Sequence, residues 1–283
     1  MSINTLSIKS TLALPDSKYK IPQIGFGVYL SPQAKCVKSC LTALEAGYRH
    51  IDTAQYYENE DSVGNALRDS KLPREDVYIT TKILSAGSDA GATYKKVLES
   101  VEKLAGKDGY VDLFLIHTPN GGAGARKLMW QALEKAKQKG KVRDIGVSNY
   151  GIQHMEDIKS IGKVWPPTVN QIELHPWCQQ RECVSYCQKN NIIIEAYCPL
   201  VRNEKANDKT LRSICEKHNV GTNQVLVRWS LQKGFVPLPK SDTPSRIVSN
   251  ADVYGFELDE EDMERLDGLD EGDKGAIVQA VSN

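Results

Sequence analysis

Short apolar runs alternate along this chain with segments of helical period. Runs rich in Val, Ile and Tyr fall at 24–28, 48–52, 77–81, 111–117, 142–147, 169–174, 192–197 and 235–238. Their brevity and near-continuous apolarity suit buried parallel strands. Helical patterns lie between them at 32–46, 61–70, 93–105, 125–139, 152–161, 181–190, 209–218 and 223–233. The helix at 32–46 has Ser31 as its expected N-cap with Pro32 at N1, and stops at Gly47; the one at 125–139 stops at Gly140. Eight strand–helix units predict an α/β protein, most naturally a (β/α)8 TIM barrel. An open doubly wound sheet is the alternative. Residues 6–14 and 18–22 read as a β-hairpin before the first barrel strand, and 260–267 as an extra C-terminal helix before a polar tail. No linker interrupts the pattern, so 1–283 reads as one barrel domain, with 1–22 as hairpin and 260–283 as helix and tail.

Composition narrows the function. Lys plus Arg and Asp plus Glu both number 36 in 283 residues. A formal charge of zero argues against nucleic acid or an anionic membrane as partner. No window approaches the ~18 apolar residues of a membrane span, and residues 1–10 lack an apolar signal core. A cytoplasmic protein is expected. The seven cysteines lack paired C-x-x-C spacing and read as reduced, partly buried thiols. His50-x-Asp52 alone makes a poor metal site, so no metal is expected.

In such barrels the chemistry sits where the strands end. Here those ends are polar: Asp52 closes the second run, Lys82 follows the third, His117 ends the fourth, and Ser148 and Asn149 follow the fifth. Gln171 lies in the sixth, ahead of Glu173 and His175; Tyr197 ends the seventh; Lys240 and Ser241 follow the eighth.

These residues carry a resemblance to the aldo-keto reductase family. Gly47-Tyr-Arg-His-Ile-Asp52-Thr-Ala, with Tyr57, Glu60 and Gly64, resembles its first signature; Arg143-Asp-Ile-Gly-Val-Ser148-Asn149-Tyr150 its second; Leu238-Pro-Lys240-Ser241, with Arg246 and Asn250, its third. The resemblance implies Asp52, Tyr57, Lys82 and His117 as catalytic residues. The chemistry suits them. Hydride addition to a carbonyl leaves charge on oxygen, which needs a proton donor and stabilising dipoles. Tyrosine, with a pKa of about 10, is a sluggish acid that a nearby ammonium makes stronger. Asp52 would hold Lys82 charged, and His117 would donate a second hydrogen bond to the carbonyl oxygen.

The resemblance also implies NADPH. Ser148, Asn149 and Gln171 would meet the nicotinamide carboxamide, Tyr197 would stack on the ring, and Pro199 and Leu200 would lead into the loop over the cofactor. Lys240, Ser241 and Arg246 would clamp the 2′-phosphate by charge-assisted bonds, and Asn250 would reach the adenine. Gly122-Ala-Gly124-Ala-Arg-Lys127 mimics a dinucleotide loop but lacks its third glycine, and reads instead as a glycine-rich surface loop. The substrate pocket is expected from Tyr29, Tyr56, Leu84, Thr118, Trp177, Val201 and Arg202. Leu84 and Thr118 stand where many relatives carry Trp, and the chain ends early, so an open site with only a short C-terminal lid is expected. The implied function is reversible NADPH-dependent reduction of aldehydes or ketones by a monomer. The alternative is a cofactor-binding regulatory or scaffold protein of the same fold.

Overall fold

The structure is a computed structural model that describes residues 6–282. β1 (Thr11–Ala13) and β2 (Lys20–Pro22) form an antiparallel hairpin. Eight strands then run parallel and pair in chain order: β3 (Phe26–Gly27), β4 (His50–Asp52), β5 (Tyr78–Ile83), β6 (Val111–Ile116), β7 (Val142–Ser148), β8 (Val169–Glu173), β9 (Ile193–Tyr197) and β10 (Val236–Pro237). Helices α1 (Gln33–Glu45), α2 (Glu60–Asp69), α3 (Ala90–Ala105), α4 (Gly122–Gln138), α5 (Ile152–Ile161) and α6 (Arg181–Lys189) alternate with them. α7 (Lys209–His218) and α8 (Thr222–Gln232) both lie between β9 and β10; α9 (Pro244–Ala251) and α10 (Glu260–Asp267) follow. This is the expected (β/α)8 barrel with its N-terminal hairpin and extra C-terminal helices.

The sheet closes through an unusual seam. Gly25 N–H donates to Pro237 O at 3.0 Å and Gly27 N–H to Pro239 O at 3.1 Å. Pro237 and Pro239 have no N–H to return, while Leu238 N–H turns the other way, to Ala196 O at 3.0 Å. The seam is therefore bonded in one direction only, which explains why β3 and β10 are two residues each where longer strands are expected.

Two apolar layers hold the fold. The larger packs the outward strand faces against the helices, with Phe26, Ile51, Ile79, Phe114 and Ile116 at 1% exposure or less. The smaller fills the barrel near the amino ends of its strands: Tyr78, Leu113, Val169 and Val236, plugged by Leu14 and Ile21 of the hairpin segment. Burial of such side chains stabilises by ~1.5–3 kcal/mol each.

Three local expectations change. Asp89 accepts from Ala92 N–H at 2.9 Å, so α3 starts at 90 rather than 93. Gly122 and Gly124 form the first turn of α4 instead of a surface loop. Ser31 does not cap α1, whose N-cap is Pro32 without a side-chain bond; its hydroxyl donates to Asp242. Among the described residues no helix is long and apolar enough to cross a membrane, and no cluster of His, Cys, Asp or Glu could hold a metal. The seven cysteines are all free.

Candidate active site

The carboxyl ends of the strands carry a buried polar network. Asp52 ends β4, and Lys82 lies in β5 with no solvent exposure. All three Lys82 ammonium hydrogens find acceptors: Asp52 Oδ1 at 2.7 Å, the Thr53 carbonyl at 2.9 Å and Tyr57 Oη at 3.2 Å. An ammonium only donates, so Tyr57 Oη accepts from it and keeps its own hydrogen for another partner. Tyr57 sits in a 3-10 turn, Gln55–Tyr57, just after β4. That turn is anchored from both sides. Asn59 accepts from Thr53 Oγ1 at 2.8 Å and donates to Val28 O at 2.9 Å, while Gln55 Oε1 accepts from Leu84 N–H at 3.1 Å.

Burial drives the Tyr57 hydroxyl up, the Lys82 charge pulls it back, and the net position is about 12. The expected acidifying effect of Lys82 is present but does not win in this environment. Burial pushes Lys82 down, but Asp52 and Tyr57 outweigh it and hold the ammonium up at about 12. His117 follows β6; burial and then the Lys82 charge lower it to about 3, so it is neutral. Its Nδ1 is buried without a partner, so Nε2 is the nitrogen that reaches the cavity His117 lines. Tyr56 and Tyr57 meet the His117 ring edge-on at 5.9 and 5.7 Å, and Tyr29 lies 5.0 Å from Tyr57.

A cavity of about 690 Å³ opens over this network. It is lined by Asp52, Tyr57, His117, Ser148, Asn149, Gln171, Tyr197, Pro199 and Leu200, and by Tyr29, Tyr56, Leu84, Thr118 and Arg202, while buried Lys82 reaches it only through Tyr57 and Asp52. Gln171 donates to Asp52 Oδ2 at 2.8 Å and Glu195 Oε2 at 2.7 Å. Both amide hydrogens are thereby taken, which leaves Oε1 for the cavity. Asn149 accepts from Tyr197 Oη at 2.9 Å and donates to Ser148 Oγ at 3.1 Å, fixing the tyrosine ring over the strand ends.

A second cavity of about 350 Å³ continues from the first, sharing Leu200, Arg202 and Lys240 with it. Ser241, Arg246 and Asn250 line it. Arg246 and Asn250 lie one turn apart on α9, a helix that Thr243-Pro244 signals as N-cap and N1 but that the strand–helix pattern passes over. Arg246 is exposed, whereas Lys240 is paired to Asp242 Oδ2 at 2.6 Å. Asn223 donates to Asn250 Oδ1 at 2.8 Å and to Ser249 Oγ at 3.1 Å. Neither Asp242 nor Asn223 is singled out by the sequence, because each acts on a neighbour rather than on the cavity's contents.

Two expected pocket residues lie elsewhere. Val201 is buried and lines the second cavity. Trp177 is 2% exposed and lines neither cavity; its carbonyl accepts from Glu271 N–H at 2.9 Å, beneath the C-terminal tail. The tail supplies what was missed. Val278 and Gln279 line the first cavity, so the chain end does reach the site.

A parallel barrel with a buried Tyr–Lys–Asp chain, a neutral His and a long polar groove defines a barrel oxidoreductase site. Residues 25–271 match the family model for the aldo/keto reductase family. The glyoxal reductase of Bacillus subtilis is 38% identical, with 95% of each chain covered. The crystal structure of an aldo/keto reductase from Brucella melitensis superposes with a TM-score of 0.88 at 39% identity, covering 94% of this chain and 99% of that one. The Bombyx mori aldo-keto reductase in complex with NADP superposes at 0.85 with 29% identity and 94% coverage of both chains. This chain belongs to the aldo/keto reductase family and is an oxidoreductase.

Aldo-keto reductases use nicotinamide cofactors, and the joined cavities offer groups that could hold one. The Tyr197 ring and Gln171 Oε1 offer a stacking face and an amide acceptor at one end, and exposed Arg246 offers a cation at the other. Ser148, Asn149, Lys240, Ser241 and Asn250 would complete the hold.

Proposed function

We propose that this protein reduces aldehydes or ketones to alcohols with NADPH, reversibly, with Tyr57 as general acid. The observation that carries the reading is the bond from Lys82 Nζ to Tyr57 Oη at 3.2 Å, which leaves the tyrosine hydrogen free to be donated. The nicotinamide, when bound, supplies the hydride. A carbonyl oxygen beside Tyr57 would receive that hydrogen, and Lys82 would stabilise the tyrosinate left behind. Asp52 holds Lys82 in place. Neutral His117 would offer its Nε2 hydrogen as a second donor and orient the oxygen. Gln171 links the two halves of the site, since Asp52 accepts from Lys82 on one oxygen and from Gln171 on the other. The rim of Leu30, Tyr56, Leu84 and Val278 is exposed and apolar, which suits a carbonyl on an apolar body.

The test is Tyr57→Phe, assayed with 4-nitrobenzaldehyde and NADPH, with NADP+ binding followed by tryptophan fluorescence. Turnover should fall ~10²- to 10⁴-fold, the usual worth of general acid catalysis, while the dissociation constant for NADP+ stays within about twofold. Retention of more than a tenth of the turnover would remove Tyr57 from the role.

A further inference from the structure

We propose that Glu173 is a positioning residue that latches the C-terminal strap and so fixes one wall of the substrate cavity. Glu173 is the last residue of β8 and has no solvent exposure. Its carboxylate accepts from three successive backbone N–H groups of the tail: Ile277 on Oε1 at 2.5 Å, and Val278 and Gln279 on Oε2, both at 2.8 Å. His175 Nε2 lies 3.0 Å from Oε1 and completes the set. Among the described residues no Lys or Arg pairs with Glu173. Its burial is therefore compensated by the strap and one imidazole. Successive amides converging on one carboxylate make a small anion nest, and each bond is charge-assisted.

Beyond that carboxylate the strap is held by one Gln180 contact and, at its end, by an isolated parallel bridge of Ser282 to Tyr150. From Ile277 to Val281 it forms neither helix nor strand. Its next anchor is again a side chain: Val281 N–H donates to Gln180 Oε1 at 2.8 Å, and Gln180 itself donates to the Glu173 carbonyl. Upstream the approach to Trp177 is so close that a Cβ on Gly275 would lie 1.8 Å from its carbonyl oxygen. The strap is thus held to β8 itself by Glu173 and to the loop that follows by Gln180 and the close approach to Trp177. The pinned residues Val278 and Gln279 are the ones that line the cavity. Unlatching would leave a buried carboxylate with one donor in place of four, which costs far more than an exposed one. The latch therefore keeps the wall in one position, although residues 277–281 form no helix or strand of their own.

This rests on the carbonyl-reductase reading only in naming the cavity as the substrate's. The first arm needs no substrate. In Glu173→Gln the new amide keeps one acceptor oxygen and turns an NH2 toward the strap donors. Hydrogen exchange at 277–279 should accelerate at least ~10-fold, with exchange in the barrel strands unchanged. The second arm measures 4-nitrobenzaldehyde and propanal. KM should rise several-fold while kcat and the dissociation constant for NADP+ stay within about threefold. A chain stopped after Gly275 should show the same KM, and Glu173→Gln added to it should change nothing further, because the partner of the carboxylate is already gone. Gln279→Pro removes one latching N–H from the strap rather than the barrel, and should give a smaller rise of the same kind should the glutamine variant fold poorly. Unchanged exchange at 277–279 in Glu173→Gln and at 277–278 in Gln279→Pro overturns the latch. Additive losses in the truncated chain would place the effect of Glu173 in the barrel instead. Absence of all carbonyl turnover with accelerated exchange would sink the reductase reading and leave the latch standing.

Discussion

Lys82 shows how far single residues could be read and where reading stopped. The sequence places Asp52 and Lys82 at strand ends, the family resemblance adds Tyr57, and chemistry assigns the lysine an acidifying pull on the tyrosine. What the sequence hides is burial, which leaves Tyr57 at about 12. It also hides Glu195, a mid-strand residue that looks like strand filler yet accepts from Gln171 at 2.7 Å inside the barrel. Burial, with the Asp52 charge adding to it, raises Glu195 to about 8 from an ordinary 4.5. The sign follows. A folded-state value above the unfolded one means that folding binds a proton, so its contribution to stability is full below about 4.5 and is lost as pH rises through about 8. Glu195→Gln keeps an acceptor oxygen and cannot ionise. Its unfolding free energy relative to wild type should therefore climb with pH from about 4.5 and level off above about 8; a difference independent of pH would show that Glu195 titrates normally. His50, whose Nε2 lies 3.5 Å from Glu195 Oε1, is lowered by burial and the Lys82 charge to about 3 and so is neutral across that window. The proposed phosphate clamp divides in the same way. Lys240 already neutralises Asp242, whereas Arg246 is exposed and free for a ligand anion. Arg246→Ala should weaken NADP+ by ~10- to 100-fold, one charge-assisted bond, and NAD+ by less than about twofold. Lys240→Met should cost NADP+ less than Arg246→Ala does. Equal losses for both cofactors would detach Arg246 from the 2′-phosphate.

Among the elements, α5 and α7 were legible to the residue because caps and period agree. The seam strands β3 and β10 were not, because their length depends on which hydrogen bonds a distant strand can return. Pro237 and Pro239 are visible in the sequence, but their effect on Gly25 and Gly27 appears only once the barrel closes. α9 was missed for another reason: a short helix lying after the last strand adds nothing to the strand–helix count. The seam makes its own prediction. A Cβ on Gly25 would lie 2.5 Å from Leu238 Cδ2 and 2.7 Å from His50 Nδ1. The imidazole is held by Thr80 Oγ1 at 2.9 Å and cannot yield freely. Gly25→Ala should destabilise the fold by ~1–3 kcal/mol, the usual cost of overpacking, read by urea unfolding. A stability equal to wild type would mean that Leu238 and His50 repack without strain.

At the scale of the whole molecule the barrel divides its labour along its axis. The amino end is plugged by Leu14 and Ile21 against Tyr78, Leu113, Val169 and Val236. The carboxyl end holds the Asp52–Lys82–Tyr57 chain and both cavities. The sequence shows the second half of this plainly, since polar residues at strand ends are conspicuous. The first half it shows only as an apolar hairpin with no stated destination. The same blindness covers the tail, whose place over the cavity depends on three amides meeting one carboxylate rather than on any residue type. Separation of the two ends implies separable losses. Ile21 is fully buried and lines neither cavity. Ile21→Ala removes three methyl or methylene groups from the plug and should destabilise by ~2–5 kcal/mol. Below the lowered melting temperature its kcat/KM should remain within about twofold of wild type, because the catalytic ends of the strands are positioned by their own ladders and by Asn59, not by the hairpin. Tyr57→Phe should do the reverse, abolishing turnover with a much smaller change in stability. Measured side by side by thermal melting and aldehyde reduction, the two variants should fall on different axes. A tenfold drop in kcat/KM for folded Ile21→Ala would show instead that the plug sets the geometry of the catalytic face through the barrel.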